Sequence, residues 1–122
     1  MSDMKTILIV DDEQTIRWIL RMALEVKNLK IIEATSGMDG VKVAKESNPD
    51  MIIMDYKMPD LNGWAATKMI REFLPSVPII GHTGYANDQN IEEGYQCGCT
   101  EILKKPVDLS EWDNKLNKYL SK

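Results

Sequence analysis

The chain has 122 residues, of which 43% are hydrophobic and 28% charged, with a formal net charge of -4. This length suits one domain with a real core. The absence of a basic stripe disfavours nucleic-acid binding by this chain alone, and no apolar run approaches the roughly 18 residues of a membrane span. Because residues 1–5 also lack the apolar core of a signal peptide, we expect a cytoplasmic protein with no membrane partner.

Five apolar segments predict β-strands. The run Met51–Met54 is continuously apolar and ends on Asp55, which is typical of a parallel strand buried on both faces. A segment charged at both ends, Lys30–Ala34, suits an edge strand. The remaining strands are predicted at Thr6–Val10, at 77–83 and at Glu101–Lys104.

Apolar residues spaced three and four apart predict a helix after each strand. Helix 2 is expected from Ser36 to Glu46, helix 3 after an Asn62 cap, helix 4 from Asn87 to Gln96, and helix 5 up to about Leu120. We expect the following residues to face the core: Ile16, Ile19, Leu20, Ala23, Leu24, Met38, Val41, Ala44, Ala66, Met69, Ile70, Phe73, Ile91, Tyr95, Leu109, Trp112, Leu116, Tyr119 and Leu120. Trp18 lies off the apolar face of helix 1 and is expected to be partly exposed.

Strands that alternate with helices favour an α/β fold with a doubly wound parallel sheet. For five strands the flavodoxin-like order 2-1-3-4-5 fits best, and it makes strands 1 and 3 neighbours. Asp11 and Asp12 follow strand 1, and Asp55 ends strand 3. Thr83 and Lys105 follow strands 4 and 5, so all five side chains are predicted at one edge of the sheet.

Carboxylates brought this close repel one another, and a bound cation relieves the repulsion. Oxygen ligands favour Mg²⁺ over zinc. With the metal bound, Asp55 could attack a phosphorus atom and form an aspartyl phosphate. The Thr83 hydroxyl, the Lys105 ammonium and backbone N–H groups could then stabilise the phosphoryl oxygens. Each residue alone has a structural explanation, such as a turn or a helix cap; together they predict one site.

At this point the sequence resembles the receiver domains of two-component response regulators, the CheY-like family, over nearly its whole length. The motifs that carry the resemblance are Val10-Asp11-Asp12-Glu13, Asp55-x-x-Met58-Pro59-x-x-x-Gly63, Thr83-Gly84 and Lys105-Pro106. The resemblance implies a single receiver domain over residues 1–122, without an output domain. It also implies a switch that a partner protein reads on the face formed by helix 4, strand 5 and helix 5.

The resemblance further implies a role for each site residue. Asp55 would accept a phosphoryl group from a histidine kinase or a histidine phosphotransfer protein. Asp12, Asp55 and the backbone carbonyl of Lys57 would bind Mg²⁺ directly, and Asp11 would bind it through water. Thr83 and Lys105 would bind the phosphoryl oxygens. Lys104 competes for the last role, but the family's lysine directly precedes proline, which selects Lys105.

Four positions differ from the family pattern or adjust its chemistry. Ile102 stands where receivers commonly carry an aromatic residue that moves together with the threonine. His82 replaces an aliphatic residue, and strand alternation predicts a hydrogen-bonded core histidine rather than a catalytic one. Lys57 and Tyr85, two residues beyond Asp55 and Thr83, are large enough to hinder water, which predicts slow self-dephosphorylation.

Other functions remain as alternatives. A phosphorylation-independent interaction module with the same fold is favoured only by Ile102. An FMN-binding protein needs a Ser/Thr/Gly-rich loop after strand 1, and an aspartate phosphohydrolase needs Asp-x-Asp there; this chain has Asp11-Asp12-Glu13. Cys97 and Cys99 cannot by themselves supply a four-ligand zinc site, and we interpret them as structural.

Overall fold

A computed structural model describes residues 4–25 and 28–120 of the chain. Strands and helices alternate throughout. Their bounds are β1 Thr6–Val10, α1 Gln14–Glu25, β2 Lys30–Ala34, α2 Gly37–Ser47, β3 Met51–Asp55, α3 Gly63–Arg71, β4 Ile79–Thr83, α4 Asp88–Cys97, β5 Glu101–Lys104 and α5 Leu109–Leu120. Within the described ranges, no helix has the length and apolar character needed to cross a bilayer.

The strands form one sheet in the order β2-β1-β3-β4-β5, and every neighbouring pair is parallel. The predicted fold class is therefore confirmed, including the edge position of β2. The register places Ile9 opposite Ile53 and Asp55 opposite His82. The carboxyl ends of β1, β3 and β4 thus lie side by side at one edge.

Alternation along the strands divides the core into two layers, because successive side chains point to opposite faces of a sheet. One layer contains Ile7 and Ile9 together with the buried Trp112 and Leu116 of α5. The other layer contains Leu8 and packs against α2 and α3. Helices cover both faces, which explains why β3 is buried at every position.

Some residues predicted to face the core are exposed, so that part of the prediction is wrong. These residues are Ile19, Met38, Met69, Tyr95 and Leu109, with exposed fractions from 37% to 63%. Two of them, Ile19 and Leu109, line a groove between α1 and α5 that is open to solvent. The central residues of the stripes, such as Leu20, Leu24 and Ile70, are buried as expected. Trp18 is 61% exposed, in agreement with its position off the stripe.

Candidate functional site

Three aspartates meet at the carboxyl ends of β1 and β3. Asp11 and Asp12 follow β1, and Asp55 is the last residue of β3. One carboxylate oxygen from each of Asp11, Asp12 and Asp55 lies within 4.8 Å of the other two. Asp11 and Asp55 are buried, whereas Asp12 is exposed. The fold therefore assembles the acidic cluster that the sequence predicts at this edge.

The loop after Asp55 returns tightly to the strand. The Gly63 N–H donates to the Tyr56 carbonyl at 2.7 Å, and a Cβ at position 63 would lie 1.8 Å from the Asp55 carbonyl oxygen. Only glycine permits this close approach. On the outer side of the loop, the Asp60 carboxylate accepts hydrogen bonds from the N–H groups of Gly37 (3.1 Å) and Met38 (3.3 Å) at the start of α2. The loop that carries Lys57 is thus held at both ends.

Lys105 supplies a positive charge to the aspartates. Its Nζ atom lies 3.2 Å from Asp11 Oδ2 and 3.2 Å from Asp55 Oδ1, and 3.8 Å from Glu13 Oε1. The Lys105 backbone N–H donates to the Thr83 carbonyl at 2.8 Å, which joins the ends of β4 and β5. The structure therefore brings Lys105 to the carboxylates, while Lys104 is exposed.

A single lysine does not compensate this much negative charge. Burial and the charge of Asp11 raise the pKa of Asp55 to about 6, against the opposing effect of Lys105. Burial also raises the pKa of Asp11, although the Glu13 N–H and Lys105 act in the other direction. Burial lowers the pKa of Lys105, but the charges of Asp11 and Asp55 outweigh it and raise that pKa. The site therefore has more negative charge than Lys105 neutralises.

The excess of negative charge and the carboxylate oxygens, which are metal ligands, fit a divalent cation. Carboxylate oxygens from separate strands, at a spacing that one ion can bridge, are hard ligands of the kind that Mg²⁺ prefers. Asp12 is the most accessible of the three. A cleft of about 520 Å³ opens above Asp12 and Asp55, with room for water and a phosphoryl group. The residues present therefore fit a magnesium ion.

Thr83 lies at the end of β4 and is fully buried. Its Oγ1 atom accepts a hydrogen bond from the Tyr85 N–H at 2.9 Å. Among the described residues that line the cleft above Asp55, its neighbours Gly84 and Tyr85 appear, but Thr83 does not. In this conformation the hydroxyl is held beneath the surface of the cleft.

Lys57 and Tyr85 form a bridge across the mouth of the cleft. Lys57 Nζ donates to the Tyr85 hydroxyl at 2.9 Å and lies 5.2 Å from the centre of its ring. Both residues line the cleft together with Lys105. The bridge connects the loops that follow β3 and β4.

His82 is a core residue, as predicted. It is 5% exposed, and its ring lies 5.2 Å from the Trp112 ring in an edge-on arrangement. Its Nδ1 atom is buried with no hydrogen-bond partner in the described part of the chain, so the expected hydrogen bonding is not found at that atom. Burial and the charge of Lys105 lower the pKa of His82 to about 3. The imidazole is therefore neutral near pH 7.

Two buried residues on the α3–α4 side were not singled out from the sequence. Trp64 is 1% exposed, and its Nε1 donates to the Asn90 backbone carbonyl at 3.0 Å. Asn90 is 7% exposed at the start of α4. Trp64 lies off the apolar stripe assigned to helix 3, and polar Asn90 looks like a surface residue. Gly94, at the position of α4 nearest to Trp64, is the one sequence signal for a bulky partner.

Comparisons with known proteins agree with this geometry. A family model for the response regulator receiver domain matches residues 7–117. Regulatory protein AtoC of Escherichia coli strain K12 is 32% identical over 111 residues, which are 91% of this chain and 24% of AtoC. Polar-differentiation response regulator DivK of Brucella ovis is 29% identical over 118 residues, which are 95% of this chain and 96% of DivK. This chain thus spans about a quarter of AtoC and nearly all of DivK.

Solved structures share the fold along the whole chain. Vibrio cholerae chemotaxis protein CheY4 has a TM-score of 0.90 and 27% identity, covering 97% of this chain and 100% of its own. The receiver domain of Pseudomonas aeruginosa sensor histidine kinase PA1611 has a TM-score of 0.89 and 28% identity, covering 98% and 100%. That structure holds a magnesium ion coordinated in its active-site cleft. This chain belongs to the family of response regulator receiver domains.

Proposed function

We propose that this receiver domain is a phosphorylation-controlled switch whose phosphoryl acceptor is Asp55. The observation that carries the proposal is the meeting of three carboxylates and one shared lysine at the mouth of a cleft. Uncompensated negative charge of this kind destabilises the folded protein. It suits a site that binds a metal ion and a phosphoryl group.

The chemistry assigned to Asp55 is nucleophilic displacement at phosphorus. One Asp55 oxygen forms a bond to the phosphorus atom while the bond from phosphorus to the donor nitrogen or oxygen breaks, and the donor leaves with that electron pair. Burial raises the pKa of Asp55 to about 6. Because this value is still below neutral pH, the carboxylate is mostly ionised and nucleophilic there. Lys105 contacts Asp55 directly and is placed to bind a phosphoryl oxygen after transfer.

The metal proposed for this site is Mg²⁺, held by Asp12, Asp55 and the backbone carbonyl of Lys57, with Asp11 acting through water. When bound, it would supply positive charge that offsets the negative charge growing on the phosphoryl oxygens. Asp11 is fixed for a supporting role, since its Oδ1 accepts the Glu13 N–H at 2.9 Å and its Oδ2 contacts Lys105.

Receiver domains interact with histidine kinases or phosphotransfer proteins, and we propose such a protein as the phosphoryl donor here. The response is a change in the populations of two conformations. A partner would read this change on the face formed by α4, β5 and α5. On that face Ile102 replaces the usual aromatic residue, and its N–H donates to the Tyr95 hydroxyl at 3.3 Å.

We further propose that the phosphorylated form is long-lived. Lys57 and Tyr85 both line the cleft and are joined by the hydrogen bond from Lys57 Nζ to the Tyr85 hydroxyl, which supports a role in hindering the approach of water. We expect Tyr85→Ala to shorten the half-life of the phosphorylated protein, measured by intact-protein mass spectrometry after removal of the donor. A half-life of seconds in the unaltered protein would contradict this part of the proposal.

The test of the function is incubation with acetyl phosphate, with and without Mg²⁺, followed by intact-protein mass spectrometry. We expect a single Mg²⁺-dependent phosphoryl adduct that Asp55→Ala abolishes. Asp88→Ala, a change at an exposed aspartate at the start of α4, is the matched control and should label normally. No adduct in the folded protein, beside a control receiver that labels, would instead favour the phosphorylation-independent interaction module.

A further inference from the structure

The side chain of Asn90 connects α4 to the loop after β4. Its amide takes the orientation that satisfies both of its ends: Nδ2 donates to the Tyr85 carbonyl at 2.6 Å, and Oδ1 accepts at 3.1 Å from Trp64 Nε1, which shares its proton with the Asn90 backbone carbonyl at 3.0 Å. In the reverse orientation, the Asn90 amide oxygen would face the Tyr85 carbonyl oxygen, and the Asn90 NH₂ group would face the Trp64 Nε1–H. A buried amide with both ends bonded holds its neighbours in one arrangement.

The Trp64 end of this connection is fixed by packing. The indole is fully enclosed between α3, β4 and α4, and a Cβ at Gly94 would lie 2.9 Å from Trp64 Cε2. The Tyr56 ring, directly after Asp55, lies 5.1 Å from the indole. Because close-packed aromatic side chains do not shift independently of their surroundings, Trp64 gives Asn90 a firm support.

The Tyr85 end leads to the proposed phosphoryl-binding hydroxyl. Asn90 donates to the carbonyl of Tyr85, which also accepts the Asn87 N–H at 3.0 Å, and the N–H of Tyr85 donates to Thr83 Oγ1 at 2.9 Å. The asparagine and the threonine therefore act on one residue from its two backbone groups. With one lone pair of Oγ1 occupied by the Tyr85 N–H, the hydroxyl proton of Thr83 remains available for donation.

We propose that Asn90 is a positioning residue for Thr83. Through Tyr85, it holds the loop after β4 and with it the Thr83 hydroxyl, which lies beneath the surface of the cleft in this conformation and would donate its proton to a phosphoryl oxygen on Asp55 after a movement of that loop. This inference rests on the proposed function, and it assigns to α4 a direct influence on the phosphoryl site. It also provides a connection between the site and α4 that does not pass through Ile102.

The diagnostic variant is Asn90→Asp, which has almost the same shape. It keeps an acceptor for Trp64 Nε1 but replaces the donor to the Tyr85 carbonyl by a second oxygen. We expect the rate of phosphorylation by acetyl phosphate with Mg²⁺ to fall about tenfold, because a carboxylate oxygen facing the Tyr85 carbonyl, which then keeps the Asn87 N–H as a donor, repels that carbonyl and displaces the loop. The adduct should still form, since Asp55 and its acidic neighbours are unchanged. Amide exchange at Tyr85 should become faster.

Gln96→Glu is the matched control. It makes the same change from amide to carboxylate at an exposed position of the same helix, where the side-chain Nε2 contacts Glu92 rather than the loop after β4. Its phosphorylation rate should equal that of the unaltered protein.

A double-mutant cycle separates positioning from a general structural role. If Asn90 acts through the Thr83 hydroxyl, Asn90→Asp should slow phosphorylation of the Thr83→Ala protein by less than twofold. An equal slowing in both backgrounds would overturn the inference, as would a normal rate for Asn90→Asp, and in both cases the proposed function would stand. Failure of the unaltered protein to label would overturn both. Should Asn90→Asp not fold, Asn90→Ala takes its place in the same cycle.

Discussion

The carboxylates of Asp55 and Glu101 both lie within hydrogen-bond distance of a lysine, yet their pKa values are shifted in opposite directions. Burial and the charge of Asp11 raise the pKa of Asp55 to about 6 despite Lys105. Burial also acts on Glu101 of β5, but hydrogen bonds from Lys115, Lys118 and the Tyr119 hydroxyl outweigh it and lower that pKa to about 2. The number and sign of the neighbouring charges explain the difference.

Three side chains of α5 contact the Glu101 carboxylate as donors: Lys115, Lys118 and Tyr119. Asp55 has the reverse arrangement, since it shares Lys105 with Asp11 and faces the further carboxylate of Asp12. The Glu101 cluster therefore stabilises the attachment of α5 to β5. The Asp55 site instead lacks positive charge, which a bound cation can supply. This contrast with Glu101 supports the proposed role of Asp55.

The strongest way to sharpen the contrast is Lys105→Met. This change leaves Asp11 and Asp55 without their cation, and we expect it to lower the free energy of unfolding by about 2 kcal/mol in the absence of divalent ions. Mg²⁺ should restore a large part of the loss, because it neutralises the same carboxylates. Urea unfolding with and without Mg²⁺ measures both effects.

Lys104→Met is the control for that experiment. Lys104 is the neighbouring, exposed lysine, and its replacement should change the unfolding free energy by no more than about 0.5 kcal/mol. A loss for Lys105→Met that Mg²⁺ leaves unchanged would show that packing, rather than charge, dominates at this position.

A second test concerns His82, which is buried near the Lys105 charge between the two regions. Its pKa is about 3 in the folded protein, below the usual 6.5. Between these values the unfolded chain binds more protons, so stability is complete above pH 6.5 and falls as the pH drops toward 3. By pH 5 the loss should reach about 2 kcal/mol, at 1.36 kcal/mol per pKa unit.

His82→Leu should remove this part of the acid sensitivity and also the cost of the unpartnered Nδ1. Urea unfolding at pH 7.5 and at pH 5 measures the change. An identical pH dependence in the two proteins would show that His82 does not contribute to it.

The smallest expected effect belongs to the compensated region. Glu101→Gln should lower the unfolding free energy by about 1 kcal/mol at neutral pH, the amount typical of a surface ion-pair cluster. Because the folded pKa of Glu101 is below its usual 4.5, its contribution is present above pH 4.5 and is lost as the pH falls toward 2. High salt should reduce the effect.

The same variant tests the separation of the two regions. Glu101→Gln should leave the rate of phosphorylation by acetyl phosphate unchanged, measured by intact-protein mass spectrometry. A slower reaction would indicate that the charge cluster between β5 and α5 is coupled to the Asp55 site.

The limits of sequence reasoning appear at particular residues. The strands and the order of the sheet follow from continuous apolar runs that alternate with helical patterns, and the structure confirms them. The helix faces were predicted less well, since Ile19 and Leu109 have the right spacing but line an open groove between α1 and α5 and are exposed there. Asn90 was missed because polarity suggests exposure, whereas here both ends of its amide are bonded inside the protein.

The amino-acid pattern alone predicts which groups follow which strand, and therefore which meet at one edge: Asp11, Asp12, Asp55, Thr83 and Lys105. That information is local, because a parallel sheet brings all its carboxyl ends to the same side. The folded molecule was needed to find that Lys105 is shared between two aspartates, that the Thr83 hydroxyl accepts from Tyr85, and that Trp64 supports Asn90. Hydrogen bonds and burial depend on distances between distant segments, and no pattern along the chain specifies those distances.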